Sequence, residues 1–429
     1  MPGGAASDRT DRLAAGLLFL TMLYVLIGLP EADRHVVRPT DYVDPLNRWI
    51  WLGLLALALP ILRRRRAIVL AMLRESWPLL VLYGWFALSA TWALDPAASS
   101  RRLVESLVHF TLMLLLVAGV RDHARLHRAI ARACLVTAAA ELLVAVAAPG
   151  YSFDPDGFAG LHPQKNFAGE IMLYCILACG SSAMLARERR TRRGLGVAVV
   201  VMFLLLLLTR SATSTDAVLA TPAVTWLLFR LARLAGATRL AMVLFMVLLL
   251  AAALFGYFAW CGHAGADPWA PLRDVTFTAR RDLWEFMLDE IRQRPLTGYG
   301  FASFWSIDAA VQPSLKVGAW FGSDDVVINE GHNGYLDLLV TTGCVGLALG
   351  LVVVGRALLL AGRAVARHGR MARGTAAFHM VFLLAFLLHN FTESDLFAIG
   401  LPMGFGFLIC LLDLQRWAAR RRLDHAAAA

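Results

Sequence analysis

The chain is predicted to be an all-α polytopic membrane protein of about twelve transmembrane helices, with one long polar segment that contains an amphipathic helix. Two observations predict this. Hydrophobic residues make up 59% of the 429 residues and charged residues 17%, with a mean hydropathy of +0.62, far too apolar for a soluble domain. Windows of about 20 residues with almost no charge recur along the chain, which is the length a helix needs to cross the hydrocarbon layer.

Taken in order, the windows fall at 13–29, 46–62, 77–94, 103–120, 127–148, 167–186, 195–209, 216–234, 240–261, 333–355, 374–390 and 397–415. Pro78 interrupts the third. The first continues directly into a polar loop without a small-residue cleavage site, so no cleavable signal peptide is expected. The chain thus divides into 1–261 with nine spans, a polar segment at 262–332, and 333–429 with three spans and a basic tail.

Arginines assign the orientation, because basic residues beside span ends are held in the cytoplasm during insertion. Arg63, Arg64, Arg65 and Arg66, the arginines within 121–132, 187–193, 230–239 and 356–373, and those of 416–422 occupy alternate connections. Both termini are therefore expected in the cytoplasm and the segment 262–332 on the outer face. The net charge of +10 then reflects topology and attraction to the lipid bilayer, and nucleic acid is excluded as a partner. Cys134, Cys175, Cys179, Cys344 and Cys410 lie in or beside spans and only Cys261 is expected at the outer surface, so no disulfide framework is implied. No Cys/His cluster has metal-ligand spacing, and neither a metal nor another cofactor is expected. Inverted repeats of the transporter kind are not visible.

The outward connections carry the less ordinary chemistry. The loop 150–166 is rich in turn formers and ends in His162-Pro163-Gln164-Lys165-Asn166. Lys165, the only lysine in the first three hundred residues, is either a snorkelling anchor or a cation for a substrate. Arg210 lies in a hydroxyl-rich patch at 209–216, in which Thr215 or Asp216 would cap the next span. Residues 278–294 read as an amphipathic surface helix. Leu283, Trp284, Met287, Leu288 and Ile291 recur at three- and four-residue spacings, Arg281, Asp282, Glu285 and Asp289 fall between them, and Pro295 ends the run. Arg280 near its start suits either a phosphate fork or an interfacial anchor. His332, between Gly331 and Gly334, can exchange a proton near neutral pH or simply cap the next span. Farther on, 389–395 interrupts an apolar run with His389, Glu393 and Asp395. Such groups are costly near lipid and are more often held in a polar cavity. Under one topology Lys165, Arg210, Arg280, His332 and Glu393 all reach the same face, which points to a phosphorylated, membrane-borne substrate and proton transfer from an acceptor.

Trp92-Ala93-Leu94-Asp95-Pro96, the 162–166 stretch, Thr278-Ala279-Arg280-Arg281-Asp282-Leu283-Trp284, Pro295-Leu296-Thr297-Gly298-Tyr299-Gly300-Phe301, and Gly331-His332-Asn333-Gly334-Tyr335-Leu336-Asp337 with Gly343 and Gly346 occur in that order. Together they resemble the bacterial O-antigen ligase and O-antigen or exopolysaccharide polymerase superfamily, over about 85–400. The resemblance implies a C-type inner-membrane glycosyltransferase, without a metal, that uses a glycan on undecaprenyl diphosphate. It also implies that Arg280 binds the diphosphate and that His332 activates the acceptor hydroxyl. Arg281, Asn333, His162 and Glu393 join Arg210 and Lys165 as candidate substrate contacts. Two positions depart from the family pattern: Ala279 stands where glycine is common, and Ala212 where a basic residue is common, a charge that Arg210 could supply from two residues earlier.

The mechanism expected is direct, inverting attack of the acceptor hydroxyl on the anomeric carbon, with cations neutralising the departing diphosphate. The acceptor is another lipid-linked glycan in a polymerase or lipid A core in a ligase. The 162–166 stretch and the run ending at Trp305 favour the polymerase branch. The reading from a different class is a secondary transporter, which would gather paired charges at the bilayer midplane.

Overall fold

A computed structural model describes residues 3–29, 44–232, 277–318, 321, 328–366, 370–398 and 400–428. Among the described residues thirteen helices carry the architecture: α1 (Gly3–Ile27), α2 (Pro45–Glu75), α3 (Trp77–Ser89), α4 (Pro96–Gly119), α5 (His123–Ala147), the single turn α6 (Pro149–Ser152), α7 (Lys165–Leu185), α8 (Arg189–Thr209), α9 (Ala212–Ala232), α10 (Phe277–Gln293), α11 (Gly334–Ala366), α12 (Arg370–His389) and α13 (Pro402–Ala428). The strands among the described residues form one two-residue hairpin, Phe153–Asp154 against Gly157–Phe158. The protein is an all-α polytopic membrane protein. Among the described residues α1, α2, α4, α5, α7, α8 and α11 are long and apolar enough to cross a membrane. Every expected span coincides with a helix except 240–261, which lies outside the described residues along with Cys261.

Local chemistry sets the helix starts. Asp44, Asp95 and Asp122 each accept a backbone N–H of the first turn, at 2.8, 2.8 and 2.7 Å, and Pro45 and Pro96 follow two of these caps where a missing N–H costs nothing. Pro78 likewise sits in the first turn of α3 and opens that helix instead of breaking a longer one. The result is a short α3, continued by a 3₁₀ turn at Ala90–Trp92. In the hydroxyl-rich patch the helix starts at Ala212, one turn earlier than a Thr215 or Asp216 cap requires, so Ser211 stands at its entrance.

α7 is the central helix, packed on α5, α8, α9 and α12, while α13 lies against α2, α4 and α12. Two basic clusters differ from their simple topological reading. Arg63 to Arg66 lie inside α2, which continues through a kink at Arg65 to Glu75, where Arg356 and Arg422 pair with the carboxylate. Arg416 is fully buried, donates to the Val117 and Val120 carbonyls at 2.8 and 2.6 Å, and pairs with Asp413.

The amphipathic helix α10 caps the bundle. Leu283, Met287 and Ile291 are buried with Tyr299, Phe304 and Trp305, each contributing about 2 kcal/mol by burial, while Arg281, Asp282, Glu285 and Asp289 face out. Leu288, expected on the buried face, is 39% exposed. The segment after α10 docks into a break in α11 at Gly343 (φ 67°, ψ −177°). There Tyr299 N–H donates to Val340 O at 3.0 Å, Gly300 N–H to Thr341 O at 2.7 Å, and Cys344 N–H to Pro295 O at 2.8 Å. Trp85 Nε1 donates to Thr342 O at 2.9 Å. Backbone groups freed inside a span must find partners in the protein, and 295–300 supplies them.

Candidate functional site

The site forms where the first turn of α10, the turn at 328–333, the loop after α12 and the start of α7 meet. Its centre is the turn that carries His332 in a left-handed backbone conformation (φ 48°). Several bonds hold that turn. Trp284 Nε1 donates to Gly331 O at 2.9 Å, and Gly331 N–H donates to Asp337 Oδ2 at 2.9 Å. The same Asp337 carboxylate accepts from Trp305 Nε1 at 2.7 Å and from the Ser394 hydroxyl. Asn333 Oδ1 caps α11 by accepting from the Tyr335 and Leu336 amides, both at 3.1 Å. A Cβ on Gly331 would stand 2.5 Å from Met287 Sδ, and one on Gly334 2.2 Å from Asn390 Oδ1, so a side chain at either position would have to displace Met287 or Asn390.

Glu393 joins the two principal candidates. Its Oε1 lies 3.3 Å from Arg280 Nη2 and its Oε2 3.3 Å from His332 Nδ1, while Glu330 Oε1 lies 2.8 Å from the same His332 nitrogen. Arg280 Nη1 also donates to Thr392 O at 2.7 Å. Burial works against a charged His332, but the hydrogen bonds its ring N–H donates to the Glu330 and Glu393 carboxylates outweigh it and push its pKa up to about 9. Burial would raise the Glu393 carboxyl, yet its bond to His332 and the nearby positive charges hold it below the ordinary value.

The polar interruption at 389–395 is held inside the protein, as a costly charge near lipid requires: His389 and Asp395 are each 1% exposed and paired at 2.7 Å. His389 Nε2 reaches Ser214 Oγ at 3.4 Å, and Ser214 reaches Ser211 at 3.3 Å. These contacts bring the start of α9 to the same end of the bundle. Arg210, the exposed left-handed cap of α8, adjoins that link. Lys165 is half-buried and its Nζ lies 3.4 Å from Asp156 O. His162 is 2% exposed and paired with Glu141 at 2.7 Å, and Arg281 points outward to Glu285 at 2.8 Å.

A cavity of about 250 Å³ opens beside Glu393, lined among others by Gln164, Asn166, Glu170, Asn329 and Glu330. Lys165 and His162 are not among its lining residues. Glu330, His332 and Glu393 present ligand atoms within 4.8 Å of one another, as do His123, His379 and Asp413 toward the opposite end. Either trio could bridge a cation; at Glu393 the Arg280 guanidinium already occupies one oxygen, and at Asp413 Arg416 does. Sequence reasoning missed Glu330 and Asp337. Glu330 sits two residues before His332, but a lone carboxylate in a polar segment carries no periodic signal. Asp337, in an apolar window, carried one, since a buried carboxylate needs partners.

A family model described as O-antigen ligase matches residues 172–351, from α7 into α11 and across Arg280 and His332. The exopolysaccharide production protein ExoQ of Rhizobium meliloti is 27% identical over 268 residues, covering 60% of this chain and 59% of that protein. Together with the helical membrane fold, these matches make the chain similar to the O-antigen ligase and polymerase superfamily, and it spans about three fifths of the length of the relative it matches.

Proposed function

We propose that the protein is a metal-independent, inverting glycan transferase of the bacterial inner membrane. It moves a saccharide from undecaprenyl diphosphate to an acceptor hydroxyl at the periplasmic face, with both termini in the cytoplasm. The observation that carries this reading is the arrangement around Glu393, which holds a phosphate-type cation, Arg280, and a proton acceptor, His332, on its two oxygens.

With Nδ1 engaged by carboxylates, His332 offers Nε2 to the acceptor. The neutral ring takes the hydroxyl proton as the acceptor oxygen bonds to the anomeric carbon. The bond from that carbon to the diphosphate oxygen breaks, and its electron pair leaves with the lipid diphosphate. Arg280, with Arg210 and Lys165 approaching from the neighbouring helix ends, neutralises the charge that develops there. Glu393 and Glu330 stabilise the imidazolium. The acceptor in this reading is a second lipid-linked saccharide, as in a polymerase, which the match to an exopolysaccharide production protein supports. The description of the matching family favours a second reading, a ligase with lipid A core as acceptor.

The test has two parts. Arg280→Ala and His332→Ala variants that insert normally should each lose at least about a hundredfold in transfer rate, and wild-type product from both would overturn the assignment. In a deletion strain, single repeat units on carrier lipid mean a polymerase, unattached lipid-linked polymer means a ligase, and unchanged glycans refute both.

A further inference from the structure

A second cavity, of about 290 Å³, also borders Glu330. It shares Asn329, Glu330, Ser394 and Leu401 with the cavity beside Glu393, so the two adjoin at Glu330, the carboxylate paired with His332. Its lining differs in kind. Phe301, Trp305 and Phe397 supply aromatic surface, and Ser306, Asn329 and Glu330 supply hydrogen-bonding groups. Aromatic rings that accept the C–H face of a ring, beside amide, hydroxyl and carboxylate groups that take its hydroxyls, are what a pyranose requires.

We infer that this cavity is the binding subsite for the acceptor saccharide. The inference rests on the transferase reading. The cation of this cavity, Arg102, already donates to the carbonyls of Ala302 and Trp305, the latter at 2.9 Å, and to Ser306 O, so the lining offers its ligand neutral and acidic groups that suit saccharide hydroxyls better than a diphosphate. Arg102 therefore shapes the cavity by holding the 302–306 loop, while Arg280 lies on the Glu393 side.

The cavity also leads toward the membrane. Phe397 and Ala398 line both it and an apolar notch formed by Leu79, Tyr83, His109 and Phe405. On α4, Arg102 faces the cavity while Ser106 and His109 face the notch, at successive spacings of four and three residues that put them on one helix face. A saccharide in the cavity would thus have its anchored end directed along α4 to the bilayer, which suits a membrane-borne acceptor.

The experiment uses the full chain in liposomes, an undecaprenyl-diphosphate saccharide as donor, and a long-chain alkyl glycoside of the same saccharide as acceptor, which has no diphosphate to lose and so is titrated in the acceptor role alone, with product read on the glycoside. Ala398→Phe, which projects a ring into the cavity from a half-buried position, should raise the apparent KM for acceptor at least tenfold and leave the KM for donor unchanged. Ser306→Ala, at a half-buried position that lines this cavity and not the one beside Glu393, should raise the acceptor KM about threefold and serves where Ala398→Phe fails to assemble. An unchanged acceptor KM, or a rise in the donor KM instead, overturns the inference while leaving the transferase reading intact. No transfer by the wild-type chain removes that reading, and the inference with it.

Discussion

His332 is governed by its carboxylate neighbours. Its pKa, pushed up to about 9, keeps the ring mostly protonated at neutral pH. The folded value lies above the ordinary 6.5, so the pairing stabilises the fold fully below pH 6.5 and loses that contribution as pH rises through about 9. The chemistry has the opposite dependence, since a general base must be neutral. kcat/KM, which reports the free enzyme, should therefore climb with pH toward about 9. Glu330→Gln should shift that limb toward neutral pH by removing one of the two carboxylates. A flat profile in the wild type, or an unmoved limb in Glu330→Gln, would sink the base assignment. The candidates Arg280 and His332 were legible as residue types beside helix starts. That Glu393 joins them was not, because 61 residues separate it from His332 and no local pattern encodes such a pairing.

At the scale of elements, the break in α11 determines where the segment after α10 lies. Gly343 has a positive φ with extended ψ, a region held almost entirely by glycine, and a Cβ there would stand 2.1 Å from Leu296 O. Gly343→Ala should cost about 2 kcal/mol or more, read as a lower Tm in detergent, and should lower transfer by displacing 295–300 and the Trp305 that bonds Asp337. An unaltered Tm would show that the break is not needed for docking. The periodicity of α10 was readable directly, since one face of apolar residues must turn inward. The break was not: 333–355 reads as one uninterrupted apolar span, and only the hydrogen bonds arriving from elsewhere make a kink affordable.

For the whole molecule, a buried ionic cluster ties the helices together at the end opposite the site. Asp413 pairs with Arg416 and lies 2.6 Å from His123 and 2.8 Å from His379, linking α5, α12 and α13. Removing one partner of a buried pair leaves an uncompensated charge and costs about 3–5 kcal/mol. Arg416→Leu should therefore reduce the folded yield severely, as read by size-exclusion chromatography in detergent. The double variant Arg416→Leu/Asp413→Leu should recover part of it, and equal yields for the single and double variants would refute the coupling.

Composition, hydropathy and arginine placement by themselves determined that the chain is a helical membrane protein and where the helices of its described residues fall. Those features follow from the local cost of exposing charge or backbone to lipid, which each segment meets on its own. Only the tertiary structure decided that Glu393 lies between Arg280 and His332, that Arg416 is a buried partner instead of a surface charge, and that Glu330 lines two adjoining cavities. Each of these depends on which helix ends pack together, and residues far apart in sequence share no periodicity from which that packing could be read.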